Sequence, residues 1–226
     1  MVLQIRPATI SDESAVSHIC LVTADAGKSA EALFKNKELP GLVYAIPYLH
    51  LSSAFEFVLV DIEEEETTGE NATKDKVAGY VVGSTNCRAF EQDAAENWWP
   101  QVQAKHPHPP DSEKGNYTET EWYYFDTIAH PPTTAQEVLD FYQAFLHVNI
   151  SEPYRGKGWG SKLIWAAAET VQRDGGKGLW VGIDSRNDES KKFYLAIGFQ
   201  KIASEQGEYY GLDIERFLAR GKGPSG

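Results

Sequence analysis

Two short stretches of this 226-residue chain carry residues of the types and spacing that chemistry requires. The first is Arg155-Gly156-Lys157-Gly158-Trp159-Gly160, set between an apolar run and an amphipathic one. Glycines let a backbone approach an anion closely, and the unbonded N–H groups and dipole of a helix's first turn favour negative charge there. Such a loop suits a phosphate or pyrophosphate. The second stretch is Asn187 to Phe199, where Tyr194 offers a phenol able to protonate a basic leaving group. Asp184, Asp126 and His147 are candidates for taking up a proton, with a water chain to solvent as the alternative. His106, His108 and His130 lie in a proline-rich stretch without a cysteine or carboxylate at ligand spacing, so no metal site is expected.

Spacing narrows what the glycine loop can hold. The dinucleotide fingerprint fails, because its last glycine falls on Ser161 or Leu163. A Walker A loop fails too, since Gly176-Lys177 is followed by Gly178. What fits is Arg-x-x-Gly-x-Gly at Arg155, Gly158 and Gly160, after a strand and opening a helix.

The elements that must position these residues follow from periodicity. Ala144 to Ile150 reads as the strand before the loop, Ser161 to Arg173 as the helix after it, and Gly175-Gly176 as that helix's end. Leu179 to Asp184 is the next strand, with Trp180, Gly182 and Asp184 on one face; a short helix over Glu189 to Leu195 follows. Strands are also predicted near Leu3–Arg6, Phe55–Val60, Val77–Gly83, after Gly198, and over Glu208–Ile214. Helices are predicted from Ser11 onward, over Ala30–Lys35, and from Tyr44 toward His50 with Pro47 interrupting. The acidic run Glu63–Gly69 reads as a solvated hairpin loop.

Residues 87–134 read as an insertion rich in proline, acid and aromatics, with helix around Asp93–Lys105 and a strand-like piece near Trp122–Ile128. One or two of Trp98, Trp99, Trp122, Tyr123 and Tyr124 are expected to line a site. The whole is an α/β (α+β) fold, a mixed central sheet flanked by helices, in a single domain over 1–220 with a flexible 221–226 tail.

Bulk composition bounds the partners. A formal net charge of −12 argues against nucleic acid and anionic membrane; it reads first as a solubility feature, and it would also attract a cationic substrate such as an amine. No apolar run is long enough to span a bilayer, and the N-terminal residues lack a signal-peptide layout. Cys20 and Cys87 are too few for a disulfide framework, so a reducing compartment, cytoplasm or nucleus, is expected. Asn71, Asn116 and Asn149 then match the glycosylation pattern by chance.

Asn187, Ser190, Tyr194, Gly198 and Phe199 resemble the pattern Asn-x-x-(small)-x-x-x-Tyr-x-x-x-Gly-Phe of GNAT N-acetyltransferases. The loop at Arg155–Gly160 resembles that family's pyrophosphate loop, and the two motifs stand in its order. Ile5–Ala8, Asp12-Glu13, Ile19-Cys20, Pro47–Leu49 and Gly79–Phe90 are further similar to the acetyltransferase-like domain attached to O-GlcNAc hydrolases. The resemblance implies acetyl-CoA as cosubstrate and a primary amine acceptor: a small-molecule amine, an amino sugar or a protein lysine. It implies that the strand at Val148, Asn149 and Ile150 pairs with pantetheine and polarises the acetyl carbonyl. The N–H groups of Arg155, Gly156, Lys157, Gly158, Trp159, Gly160 and Ser161 would take the pyrophosphate, and Asn187 and Ser190 would contact the cofactor arm. Tyr194 would be the general acid, with Asp184 the favoured base. The alternative reading is an inactive acetyltransferase-like module that binds CoA or a protein partner, and a monomer or homodimer is expected.

Overall fold

The computed structural model describes residues 2–64 and 73–221. The Glu63–Gly69 loop lies largely outside these residues, as do Asn71 and tail residues 222–226. Seven strands form one sheet: β1 (Val2–Pro7), β2 (Phe55–Glu64), β3 (Thr73–Ser84), β4 (Ala144–Ile150), β5 (Gly178–Ile183), β6 (Gln200–Ile202) and β7 (Glu208–Asp213). Their order is β1-β2-β3-β4-β5-β7-β6. Every neighbouring pair is antiparallel except β4 and β5, which run parallel. This is a mixed sheet flanked by helices.

The β4–β5 pairing is short. It covers Ala144 against Leu179 and Phe145 against Trp180, and β4 then continues to Ile150 without β5 beside it. On its other side β4 stays paired with β3 as far as Gly79 and Ile150. Residues Leu146 to Ile150 therefore keep one free backbone edge.

Helices cover both faces. On one lie α8 (Trp159–Arg173) and α10 (Ile214–Leu218), with the buried side of α9 (Asp188–Ile197) joining the same core. In α8, Leu163, Ile164, Ala167, Ala168 and Val171 are fully buried, the stripe that helical periodicity places against a sheet. On the other face pack α1 (Glu13–Leu21), α2 (Leu39–Tyr44), α3 (Pro47–His50), α4 (Cys87–Asn97), α5 (Trp99–Lys105), α6 (Glu119–Ala129) and α7 (Gln136–Leu139).

Two sequence expectations are corrected. The Trp122–Ile128 piece is part of helix α6, not a strand: the Thr118 hydroxyl caps it by accepting from Glu121 N at 3.0 Å. Buried Glu121, Trp122, Tyr124, Phe125 and Ile128 then follow helical spacing, which an aromatic run disguises. Ala30–Lys35 holds only a 3-10 turn at Glu31–Leu33. Its continuation is diverted because buried Glu121 accepts the backbone N–H groups of Lys35 and Asn36 at 2.9 and 2.8 Å. A tertiary carboxylate supplies what a helix ladder would have.

The N-terminal strand is tied to α1 by a bidentate pair, Arg6 to Asp12 at 2.8 and 2.9 Å, with Thr9 N also donating to Asp12. These bonds, Arg6 first, hold the Asp12 carboxyl below its ordinary pKa. The folded state thus binds that proton less readily than the unfolded chain, so the contribution is present at neutral pH and lost as pH falls below the ordinary carboxylate range. Asp12→Asn is expected to cost about 2 kcal/mol at pH 7. Urea unfolding should show the gap to wild type closing in strong acid; a pH-independent gap contradicts the pairing.

Candidate active site

Sheet geometry builds the site from β4. Ser151 N donates to Ala78 O of β3 at 2.9 Å, so strand alternation turns the N–H groups of Asn149 and His147 toward β3 as well. Val148 and Ile150 direct theirs to the free edge. Side chains alternate too: Leu146, Val148 and Ile150 join the α8 core, while Phe145, His147 and Asn149 face the opposite helices.

The glycine loop lies where that edge ends. Gly156 and Gly158 have φ of +73° and +80°, the left-handed region that a side chain strains. Gly158 is the N-cap of α8, and no side chain caps the first turn. The first-turn N–H groups, Trp159, Gly160 and Ser161 among them, are therefore open to an anion. Gly160 has another reason to be glycine, since a Cβ there would meet the Phe193 ring at 2.8 Å. Three cations surround the turn. Arg155 Nε donates to Ile150 O at 2.7 Å, Lys157 Nζ to Pro153 O at 2.8 Å, and Lys162 lies 4.1 Å from the Trp159 ring centre.

The second motif serves α9. Asn187 Oδ1 caps that helix by accepting from Ser190 N at 3.0 Å, and its amide nitrogen packs against Gly27. Tyr194 is buried on the α8 side with Phe193 and Phe199, ring centres 5.2 and 4.9 Å away. Burial raises its pKa, so the phenol is protonated at neutral pH.

On the opposite face of β4 and β5 lies a cavity of about 880 Å3. Its sheet wall comprises Phe145, His147, Asn149, Trp180, Gly182 and Asp184. Tyr44 and Tyr48 contribute from α2 and α3. Phe90 and Glu91 from α4, Trp99 from α5, and Glu119, Tyr123 and Tyr124 from α6 close it. Three of the five singled-out aromatics thus line the cavity, whereas Trp98 and Trp122 are core residues.

The proton-taking candidates separate here. Asp184 lines the cavity, but Arg186 grips it with Nε at 3.1 Å and a terminal nitrogen at 2.7 Å, and that bonding lowers its pKa. Arg186 also pairs with Asp25 at 3.0 Å. The i,i+2 spacing of Asp184 and Arg186 was the sequence signal for this pair. His147 lines the cavity among Tyr44, Tyr48 and Phe145, ring centres 5.8, 6.0 and 6.1 Å away, and burial lowers its pKa to about 4. Asp126 stands outside the cavity lining, bonded to His108 at 2.9 Å. The cavity also uses residues that sequence reasoning did not mark, Glu91, Glu119, Glu208 and Tyr209 among them. Among the described residues no cluster of three or more His, Cys, Asp or Glu could hold a metal ion, and no helix is long and apolar enough to cross a membrane.

A family model described as the acetyltransferase (GNAT) family matches residues 51–199. The crystal structure of SsHAT overlays with a TM-score of 0.74 at 26% identity, covering 95% of this chain and 99% of that one. An N-acetyltransferase from Staphylococcus aureus Mu50 overlays at 0.50 with 16% identity, covering 95% and 99%, a likeness of fold alone. The yncA protein of Salmonella typhimurium, solved with its cofactor acetyl-CoA, overlays at 0.46 with 16% identity, covering 95% of each chain.

A neutral His147 has a measurable signature. Its unfolded form takes up a proton near pH 6.5 and its folded form only near pH 4, so the unfolded chain binds more protons between those values. Stability contributed by keeping this ring uncharged is complete above pH 6.5 and lost as pH falls toward 4. Replacing it by glutamine should narrow the stability gap to wild type between pH 7 and pH 5 in urea melts. A gap that stays constant would mean the ring is not held neutral.

Proposed function

We propose, for a chain that belongs to the GNAT acetyltransferase family, that it transfers acetyl from acetyl-CoA to a primary amine held in the cavity beside β4 and β5. The observation that supports this most is the join of three features: an uncapped α8 N-terminus with its glycine loop, the free β4 edge leading from it, and the cavity on the far side of that edge. A diphosphate at the loop is supported by first-turn N–H groups without a competing side-chain cap and by the cations Arg155, Lys157 and Lys162 in and beside the loop. Pantetheine fits the edge, with Val148 and Ile150 offering backbone partners; Arg155 already occupies one lone pair of the Ile150 carbonyl. Asn149, on the alternate face, belongs to the acceptor side, where its amide donates to Tyr80 Oη at 2.7 Å. Asn187 and Ser190 act on the cofactor arm through the shape of the α9 cap.

In this reading the amine loses a proton, its lone pair forms the C–N bond, and the C–S bond breaks with its electrons going to sulfur. In this reading the Val148 N–H, directed to the free β4 edge, stabilises the oxyanion. Tyr194, protonated and on the donor side of the sheet, gives its proton to the departing thiolate and regains one from solvent before the next turnover. Asp184 was the favoured base in the sequence. Its bonds to Arg186 make it a poor proton acceptor and suit it instead to holding the acceptor's positive charge. Burial makes His147 a weak acceptor as well, so in this reading the proton leaves through water to solvent past the uncharged ring. The N-terminal resemblance to domains attached to O-GlcNAc hydrolases adds no acceptor to this reading.

Isothermal titration with acetyl-CoA tests the donor site. Gly158→Glu should abolish micromolar binding, and Gly158→Ala should weaken it, since the left-handed φ of +80° costs a side chain about 1 kcal/mol. Tight binding by the glutamate variant would contradict the placement of the diphosphate. Tyr194→Phe should leave acetyl-CoA affinity intact and lower kcat about a hundredfold, followed by release of CoA thiol. Unchanged kcat removes Tyr194 as the acid.

A further inference from the structure

The cavity is negative and walled by rings. Its lining carries four carboxylates, Glu91, Glu119, Asp184 and Glu208, against one guanidinium, Arg186, which is already shared between Asp184 and Asp25. Glu91 is paired with Arg88 and Glu208 with Lys191. Glu119 is the lining carboxylate without a cation among the described residues. It stands one helical turn before Tyr123 on α6, whose hydroxyl lies 3.5 Å from that of Tyr44. Ring faces and carboxylates together favour a cation with an apolar body.

A negative cavity creates a conflict for an acceptor with one amine. It holds the ammonium form more tightly than the free amine, so the field that binds the acceptor opposes the deprotonation that activates it. A second cationic centre removes the conflict. It stays charged throughout, anchors the molecule, and lowers the proton affinity of the amine near it. Resting on the acetyl-transfer reading above, we propose that the acceptor is an aliphatic amine bearing a second cationic nitrogen. The second cation sits against Glu119 and the Tyr44–Tyr123 pair on the α6 wall, and the reacting amine at the sheet wall near His147. One proton leaves, one C–N bond forms as the C–S bond breaks, the thiolate takes up a proton, and the product keeps one positive charge.

The test is isothermal titration of hexane-1,6-diamine, hexylamine and 6-aminohexanoate into CoA-saturated protein. The diamine should bind about fivefold tighter than hexylamine, the upper end for an ion pair with a solvent-exposed carboxylate such as Glu119, and 6-aminohexanoate should bind most weakly. Glu119→Gln should bring the diamine and hexylamine to within about twofold of each other. Equal binding of the first two in wild type, preference for the carboxylate-bearing amine, no binding of the diamine, or a ratio untouched by Glu119→Gln overturns the proposal. Release of CoA thiol with acetyl-CoA is followed separately. Diamine binding in the expected order without any turnover would defeat the transferase reading and the acceptor role, and leave the cavity as a binding site for a dicationic amine.

Discussion

Parallel pairing between β4 and β5 stops after Phe145 and Trp180, and the site is arranged around the edge this leaves. Unsatisfied backbone groups inside a sheet are costly unless something else bonds them. The Arg155 side chain meets one of them, at Ile150 O. The remainder of that edge is a ready partner for an extended amide chain, because a strand with one free side bonds a second strand or anything that imitates one. A short pairing is therefore a local defect in the sheet that leaves a backbone edge open to the proposed ligand.

The same parting divides the chemistry between two faces. Alternation along β4 sends Val148 and Ile150 toward α8 and His147 and Asn149 toward the cavity, so in the proposed reaction donor and acceptor would meet at one strand without sharing a chamber. Charge follows the division. Cations gather at the α8 N-terminus, where Arg155, Lys157 and Lys162 reinforce the helix dipole. Carboxylates gather across the sheet. A chain of net charge −12 thus keeps a positive patch where a diphosphate would sit and a negative one where an amine would enter.

Local features were legible in the sequence because their physics is local. The Arg155–Gly160 loop, the α8 stripe and the Asn187–Phe199 segment each lie within one element or one turn, and periodicity or glycine spacing exposes them. The α6 helix was misread although its capping pair, Thr118 and Glu121, stood in plain order, since consecutive aromatics obscure the period. What could not be read was assembly. The cavity draws on β4, β5 and β7, on α1 to α6 except the short turns, and on loops between them. Glu121 reaches across to bond Lys35 and Asn36, a contact spanning more than eighty residues of sequence. Asp184 was seen at its strand end, but its role depends on Arg186 and on Asp25 in a distant turn.

The glycines of the loop show how one motif can record two constraints. Gly156 and Gly158 are required by backbone conformation, for their φ values are left-handed and a Cβ at either would meet nothing within 4 Å. Gly160 has ordinary helical geometry and is required by packing, because Phe193 fills the space a Cβ would take. Phe193 adjoins Tyr194, so this close approach of α8 and α9 also fixes the tyrosine's place on the donor side of the sheet. A larger residue at position 160 would push α9 outward and shift Tyr194 with it, even if every N–H of the loop kept its direction. The glycine spacing that first pointed to an anion site therefore also governs where Tyr194 stands, which couples the proposed diphosphate loop and the proposed proton donor through one missing methyl group.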